Sequence, residues 1–217
     1  MDVAPPSAPP DVTFAVEDAR VLEHAAVPTL SFALVVESPG DIRSVLLNVE
    51  VRIAAARRHY DAREQERLVE VFGLPEQWDR SLHAMHWTSL TVNVTPFSGR
   101  TVVDLPVTCT YDLEVTGAKY MNALDGGDIP LDFLFTGTVF YTAADGRLQV
   151  VKIGWDKEAG YRLPVTVWRE MLQRHFPDAA WLRLRRETFD ALWAYRARGT
   201  LLTWEAAVES LLRKAGE

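Results

Sequence analysis

Cysteine is nearly absent from this sequence, and so are the segments that direct a chain into or across a membrane. Cys109 is the single cysteine, which excludes an internal disulfide and suits a reducing compartment. No apolar run approaches the roughly 20 residues needed to cross a bilayer. The proline-rich start, M-D-V-A-P-P-S-A-P-P, lacks the basic and apolar regions of a secretory signal. We therefore expect a cytoplasmic protein with no membrane partner.

Positive charge is also in short supply. The chain has 23 Lys and Arg residues against 30 Asp and Glu residues, which gives a formal net charge of −7. Nucleic acids and anionic membranes attract proteins through basic faces. For this reason we expect no nucleic-acid partner.

The motifs of several enzyme classes are missing as well. The sequence contains no Gly-x-Ser-x-Gly elbow, no phosphate-binding Gly-x-x-x-x-Gly-Lys run and no Gly-x-Gly-x-x-Gly. Cys109 falls on the apolar side of an alternating segment, where a thiol packs as a small hydrophobe. The sequence therefore identifies no cofactor and favours a protein that is not an enzyme.

Alternating apolar residues, by contrast, are abundant. The strongest run is 128–141, D-I-P-L-D-F-L-F-T-G-T-V-F-Y, which predicts a central strand packed over a core. The Asp145–Gly146 pair predicts a hairpin turn into a strand at 148–153. Residues 45–53 alternate most cleanly, with one face buried and the other wet. We expect these strands, and a further one at 107–115, to pair with the central strand.

Other segments complete a β-rich chain that turns helical at its end. Alternation also predicts strands near 12–16, 30–36 and 90–94, with turns at Ser38–Gly40 and Pro96–Gly99. After Trp155 the spacing favours helices throughout. The predicted helices are a first one starting at Pro164, a second at 186–198 and a third capped by Thr203.

Residues 57–83 form the longest departure from the β pattern. Asp61 is placed to cap a helix, and Glu64 is placed to return the hydrogen bond as a capping box. Gly73 can close that helix in a left-handed conformation. We expect Glu64, Glu66 and Glu70 on its solvated surface.

These patterns predict an α+β fold: an antiparallel β-sandwich of about seven or eight strands with a helical insertion, and a C-terminal set of two or three helices. The expected organisation is a flexible proline-rich tail at 1–11 and the sandwich at 12–155 with its insertion at about 57–83. A helical extension at 156–217 is expected to pack on the sandwich.

One group of residues suggests metal chemistry. His83 and His86 are three apart, which on a helix places both imidazoles on one face, and Cys109 could add a soft third ligand. The alternative is an ordinary junction between a helix and a strand. A metal-dependent enzyme using His83 and His86 is therefore one functional hypothesis.

Tryptophan is the one compositional surplus. The chain has seven, and five of them follow residue 150. Tryptophan fills cores, but it is also enriched at interface hot spots. The C-terminal tryptophans either hold the helices on the sheet or form a partner-binding surface, for which the candidates are Trp168, Trp181, Trp193 and Trp204. Exposed tryptophans on a sandwich would instead favour carbohydrate binding.

Several strings resemble an uncharacterised family of actinobacterial proteins. They are F-A-V-E-D-A-R-V-L-E-H at 14–24, T-C-T-Y-D-L-E-V at 108–115, the strand at 129–140 and Y-R-L-P-V-T-V-W-R-E-M at 161–171. The resemblance implies genes encoded near those of nickel–iron hydrogenases, and it supplies no site residues. The preferred hypothesis is an accessory protein that binds another protein, such as a metalloenzyme subunit during its assembly.

Overall fold

The structure, a computed structural model, describes residues 9–109, 115–143, 145–177 and 183–216. The chain divides into two compact units, Met1–Ala180 and Trp181–Glu217. Within the described residues the first unit contains seven strands and four α-helices, and the second contains two α-helices.

The strands of the first unit form one antiparallel sheet. Their bounds are β1 (Thr13–Val21), β2 (Thr29–Ile53), β3 (Met85–Val94), β4 (Phe97–Thr108), β5 (Asp128–Thr142), β6 (Leu148–Lys152) and β7 (Glu158–Pro164). The helices of this unit are α1 (Ala62–Phe72), α2 (Trp78–Ser81), α3 (Thr116–Ala123) and α4 (Val165–His175). The expected α+β class, a β-sandwich with a helical insertion and C-terminal helices, is confirmed.

Strand β2 organises the sandwich because its two halves pair with different neighbours. The first half lies between β1 and β4, and the second half lies between β3 and β5. The pairing shifts register around Ser38–Ser44, where the strand passes from one half of the sandwich to the other. Phe32 in the first half meets Phe133, on β5 beside the second half, with ring centroids 5.2 Å apart. The two halves therefore face each other across the core.

The turn predicted at Ser38–Gly40 is wrong. These residues continue β2, which is 25 residues long. The local sequence Ser38-Pro39-Gly40 is compatible with a turn between two strands. It is equally compatible with one long strand that has an irregularity in its pairing. The proline is tolerated because bulged positions leave a backbone N–H without a ladder partner.

The core follows the alternation that the sequence displays. Apolar side chains of β2 that point inward are almost completely buried, namely Val45, Leu47, Val49, Val51 and Ile53. The inward positions of β5 are buried in the same way, which confirms the central strand predicted at 128–141. Burying each such side chain contributes about 1.5–3 kcal/mol relative to leaving it exposed.

Three expectations about strands need correction. Strand β7 lies in a region where only helices were expected; its pairing with β5 stabilises it although its own apolar pattern is weak. Strand β4 begins at Phe97, inside the predicted Pro96–Gly99 turn. The strand expected at 107–115 overlaps β4 only at its start, and β4 pairs with β2 rather than β5; residues 110–114 lie outside the described residues.

The helical insertion begins and ends as the sequence predicts. The Asp61 carboxylate accepts a hydrogen bond from the Glu64 N–H at 2.8 Å, which caps α1. Gly73 ends the helix with a φ of 75°, a left-handed value that favours glycine. Within the residues that the structure describes, no helix has the length and apolarity to span a membrane.

The second compact unit is a helical hairpin. It consists of α5 (Arg186–Arg198) and α6 (Trp204–Ala215). The Thr203 hydroxyl accepts from the Ala206 N–H at 3.0 Å and caps α6, as its position before the apolar stripe predicts. The hydroxyls of Tyr195 and Ser210 join the two helices with a hydrogen bond of 2.7 Å.

Candidate functional site

The two histidines of the metal hypothesis do not share a helix face. His83 is exposed in the connection after α2, whereas His86 lies in β3. The His86 Nδ1 atom is 3.5 Å from a carboxylate oxygen of Glu50 on the neighbouring strand β2. The motif His83-Ala-Met-His86 therefore crosses the junction between helix and strand.

Cys109 lies on the inner side of the sandwich. Its thiol is buried and donates to the Val107 carbonyl at 3.4 Å, and burial raises its pKa to about 12. It lines a pocket of about 420 Å³ together with Trp87, whereas the exposed His86 side chain lies beside Glu50. Among residues 9–109, 115–143, 145–177 and 183–216, no three His, Cys, Asp or Glu side chains form a possible metal site. The metal hypothesis stays a prediction.

The tryptophans proposed as partner contacts occupy different environments. Trp168 on α4 is 1% exposed, and its indole N–H donates to the Asn122 side chain at 3.0 Å. It therefore belongs to the core. Trp181 lies outside the described residues.

Trp193 and Trp204 form an aromatic cluster within the helical hairpin. Their ring centroids are 5.6 Å apart, and Phe189 packs against both. The Arg196 guanidinium stands 4.0 Å above the Trp204 ring and 5.0 Å from the Trp193 ring. This cation–π arrangement holds the two helices together and leaves about half of the Trp193 surface exposed.

The outer face of the sandwich around β5 and β6 carries an apolar area, which we call the outer patch: Leu46, Phe140, Leu148 and Val150. Phe140 lies directly opposite Val150, and Leu46 lies opposite the next outward residue of β5. Leu148 and Val150 are 65% and 60% exposed. Strand β6 has no second pairing partner among the described strands, so the patch extends to a sheet edge.

Trp155 stands at the other end of the same face. It follows β6 and is 93% exposed, the highest value of any aromatic residue described. It borders a shallow cleft of about 390 Å³. The polar side chains of the cleft come from outward positions of three neighbouring strands: Asn48, Glu50, Ser89, Thr91 and Thr136. Leu134 and Phe140 are six residues apart on β5, so the face from the cleft to the outer patch extends about 20 Å.

An open polar pocket lies at the end of the sandwich near α1. Arg58 and Glu64 form an ion pair there, with side chains only 10% and 4% exposed. A second Arg58 nitrogen donates to the carbonyls of Gly126 and Asp128 at 2.8 and 3.0 Å, and Glu64 accepts from the Asp125 N–H at 2.9 Å. The pair therefore ties the start of α1 to the turn that precedes β5.

The expectation that Glu64 is a surface carboxylate is wrong, and so is the capping box. The Glu64 side chain points inward and accepts a hydrogen bond from Arg58, instead of returning to the N–H at the start of the helix. A signal for this was present in the sequence. Glu64 precedes Leu68 and Phe72 by four and eight residues, which places it on the buried face of α1. Its partner Arg58 lies outside the helix and has no such signal.

The chain belongs to a defined protein family. Residues 9–217 match the family described as "Family of unknown function (DUF6084)", which agrees with the resemblance to an uncharacterised family. No curated protein matches the sequence.

Solved structures show distant likenesses. The CARDB domain of a Pyrococcus furiosus protein, solved in complex with di-metal ions, has 12% identity and a TM-score of 0.28, with 71% of this chain and 87% of that domain covered. A putative late embryogenesis abundant protein has 14% identity and a TM-score of 0.29, with 73% of each chain covered. A β-glucosidase from Kluyveromyces marxianus has 12% identity and a TM-score of 0.27, with 70% and 15% covered. Structural similarities this weak do not indicate a function for the chain.

Proposed function

We propose that this protein is a non-enzymatic module that binds another protein through the outer face of β5 and β6. The observation that carries the proposal is the 93% exposure of Trp155 on the face that also bears the outer patch. Large exposed indoles are costly to hydrate and are enriched at interface hot spots.

The arrangement of this face suits a protein partner. Val150 and Leu148 supply exposed aliphatic surface at the edge of the sheet, and Trp155 supplies an aromatic anchor at the other end. Polar side chains of the intervening cleft can donate and accept hydrogen bonds at the rim. Strand β6 also offers an edge to which an extended segment can add by β-augmentation.

We further propose that the partner is a metalloenzyme subunit, and that the protein assists its assembly. Support for this step comes from the family resemblance, which implies an association with nickel–iron hydrogenases. The described residues add no feature specific to a hydrogenase.

Purification from the native host tests the proposal. We expect a stoichiometric partner with the wild-type chain, and its loss with Trp155→Ala and with Val150→Ser. Val102→Ser is the matched control, because Val102 is 50% exposed on β4 in the other half of the sandwich. Retention of the partner by both face variants, or recovery of no stoichiometric partner at all, contradicts the proposal.

Carbohydrate binding is a second candidate, and the cleft beside Trp155 favours it. An exposed indole next to hydroxyl, amide and carboxylate groups is a stacking platform with hydrogen-bonding partners at its side. Titration with neutral oligosaccharides, followed by tryptophan fluorescence, separates this candidate from the first. A saturable change that Trp155→Phe preserves and Trp155→Ala abolishes supports sugar binding, and its absence removes the candidate.

The metal-dependent enzyme that uses His83 and His86 remains a hypothesis of another class. Metal analysis of protein purified without an affinity tag tests it directly. Stoichiometric zinc, iron or nickel that is lost in His86→Ala supports a metal site, whereas metal-free protein excludes this function.

A further inference from the structure

The helical hairpin is too small to bury a core of its own. It belongs to the compact unit Trp181–Glu217, which contains no cysteine. Units of fewer than about 40 residues usually need disulfides, metals or association to be stable. Among the described residues of α5 and α6, only Ala207 is buried. The hairpin therefore needs a further contact to cover its remaining apolar surface.

Helix α6 carries most of that surface on one face, which we call the α6 stripe: Trp204, Val208, Leu211 and Leu212. Their spacing of three and four residues aligns them along the helix. Val208, Leu211 and Leu212 are each 41–49% exposed. Trp204 packs against the half-exposed Trp193, so the stripe continues onto α5.

The charges beside the α6 stripe complement a second copy of the same helix. Glu205 directly follows Trp204, and Arg213 directly follows Leu212, so both lie along one border of the stripe, about two turns apart. Antiparallel copies of α6 bring Glu205 of each next to Arg213 of the other, whereas parallel copies bring like charges together. Glu209 lies between them and meets its own copy at the centre, so one repulsion opposes two attractions.

The area of the stripe suits a reversible dimer. The exposed parts of the three aliphatic side chains and of Trp193 amount to about 350 Å² of apolar surface per copy. Because the polar rim contributes roughly 40% of an interface, a contact between two stripes would bury about 1,200 Å² in total. This value is at the lower end of the range for specific interfaces, so we expect micromolar affinity.

We propose that this protein forms a two-fold symmetric dimer through the α6 stripe, with the two α6 helices antiparallel. The symmetry places Val208 of each copy beside Leu212 of the other and closes the assembly at two chains. The contact uses residues of the second compact unit, so it stands or falls independently of the proposed binding of a partner to the outer face.

Sedimentation velocity of the full-length protein between about 1 and 200 µM tests the dimer, because a micromolar dissociation constant falls within this range. Leu212→Glu should weaken the dimer at least about 30-fold, since it places two carboxylates in the apolar contact. Leu74→Glu is the matched control: Leu74 is 55% exposed in the first compact unit, and the change in size and charge is the same. Its dissociation constant should stay within about twofold of the wild type.

Charge reversals test the antiparallel orientation. Glu205→Lys and Arg213→Glu should each weaken the dimer roughly tenfold, because the two-fold axis turns two attractions into two repulsions. The double variant restores opposite charges across the contact and should dimerise within about threefold of the wild type. A parallel pair predicts no such recovery, since each residue then faces its own copy. Because the double variant carries both changes, its recovery also excludes unfolding of α6 as the cause of the single losses.

Each result decides the proposal. Dimerisation that Leu212→Glu weakens, Leu74→Glu preserves and the double charge reversal restores supports it. A monomer throughout the concentration range overturns it, and so does a double variant that dimerises as weakly as the single ones. Equal weakening by the two leucine variants overturns it as well. A dimer that Leu212→Glu preserves and Trp155→Ala abolishes assigns the association to the outer face, which also overturns it.

Discussion

Replacing Glu64 by alanine tests the buried ion pair that ties α1 to the turn before β5. The variant leaves the Arg58 guanidinium without its carboxylate partner. The charge is then unpaired in a buried site, since the two side chains of the pair are only 10% and 4% exposed. Breaking a buried pair on one side costs about 3–5 kcal/mol. The Asp125 N–H also loses its acceptor, which adds about 1 kcal/mol. We expect Glu64→Ala to lower the free energy of unfolding by about 4–6 kcal/mol.

Urea unfolding and thermal melting measure this loss. For a chain of this size, 1 kcal/mol corresponds to about 2–4 °C in Tm, so the melting temperature should fall by roughly 8–24 °C. Glu66→Ala is the control, because Glu66 lies on the exposed side of the same helix; its effect should stay within about 0.5 kcal/mol. The double variant Arg58→Met, Glu64→Leu should recover only the part of the loss that the unpaired charge causes, because the Asp125 N–H and the Gly126 and Asp128 carbonyls still lack their partners. If the free energies of unfolding of Glu64→Ala and Glu66→Ala differ by less than about 1 kcal/mol, the Arg58–Glu64 ion pair does not stabilise the fold as described.

Three further predictions concern the sheet, the thiol and the exposed indole. Gly137→Ala should destabilise the protein by at least about 3 kcal/mol in urea unfolding, because the φ of Gly137 is 146° and a Cβ would stand 2.1 Å from the Leu46 carbonyl oxygen. Gly126→Ala is the control: its Cβ meets nothing within 4 Å, so it should change stability by less than about 0.5 kcal/mol. Equal losses of stability in the two variants would contradict the close approach of Gly137 to Leu46. Burial raises the pKa of the Cys109 thiol from 9.0 to about 12. The stabilisation that comes from burying the neutral thiol is therefore complete below pH 9 and is lost as the pH rises from 9 towards 12. Iodoacetamide should modify Cys109 only in unfolded protein, and rapid labelling of the native protein would refute its burial. Iodide should quench Trp155 readily, so Trp155→Phe should remove much of the quenchable fluorescence, and an unchanged quenching curve would show that this indole is covered.

Much of the sheet could be predicted because its cause is local. The alternation of 45–53 places every second side chain on one face, and a one-residue slip would expose that whole apolar set. The caps at Asp61 and Thr203 are equally local, since each needs only a side-chain oxygen and an N–H three residues along. Strand β5 and its hairpin to β6 follow from the same short-range patterns.

Other features could not be read from the sequence because distant residues determine them. Whether Ser38–Gly40 turns or continues a strand depends on the strands that pair on either side, β1, β4 and β5. The pairing of Arg58 with Glu64 also depends on the Gly126 and Asp128 carbonyls, which accept hydrogen bonds from the second terminal nitrogen of the guanidinium. The exposure of Val150 and Trp155 depends on which elements cover each face of the sheet, and no local sequence pattern indicates which elements those are.

Photo-crosslinking from the outer face tests the central claim most directly. A photoreactive amino acid replaces Val150 in the full-length protein in its native host, and the same replacement at Val102 serves as the control. We expect position 150 to give one discrete crosslinked product with a second protein, which Trp155→Ala suppresses and which position 102 does not give. A crosslink from position 150 to the chain's own residues 183–216, or the same products from both positions, would contradict the claim that this face binds a partner.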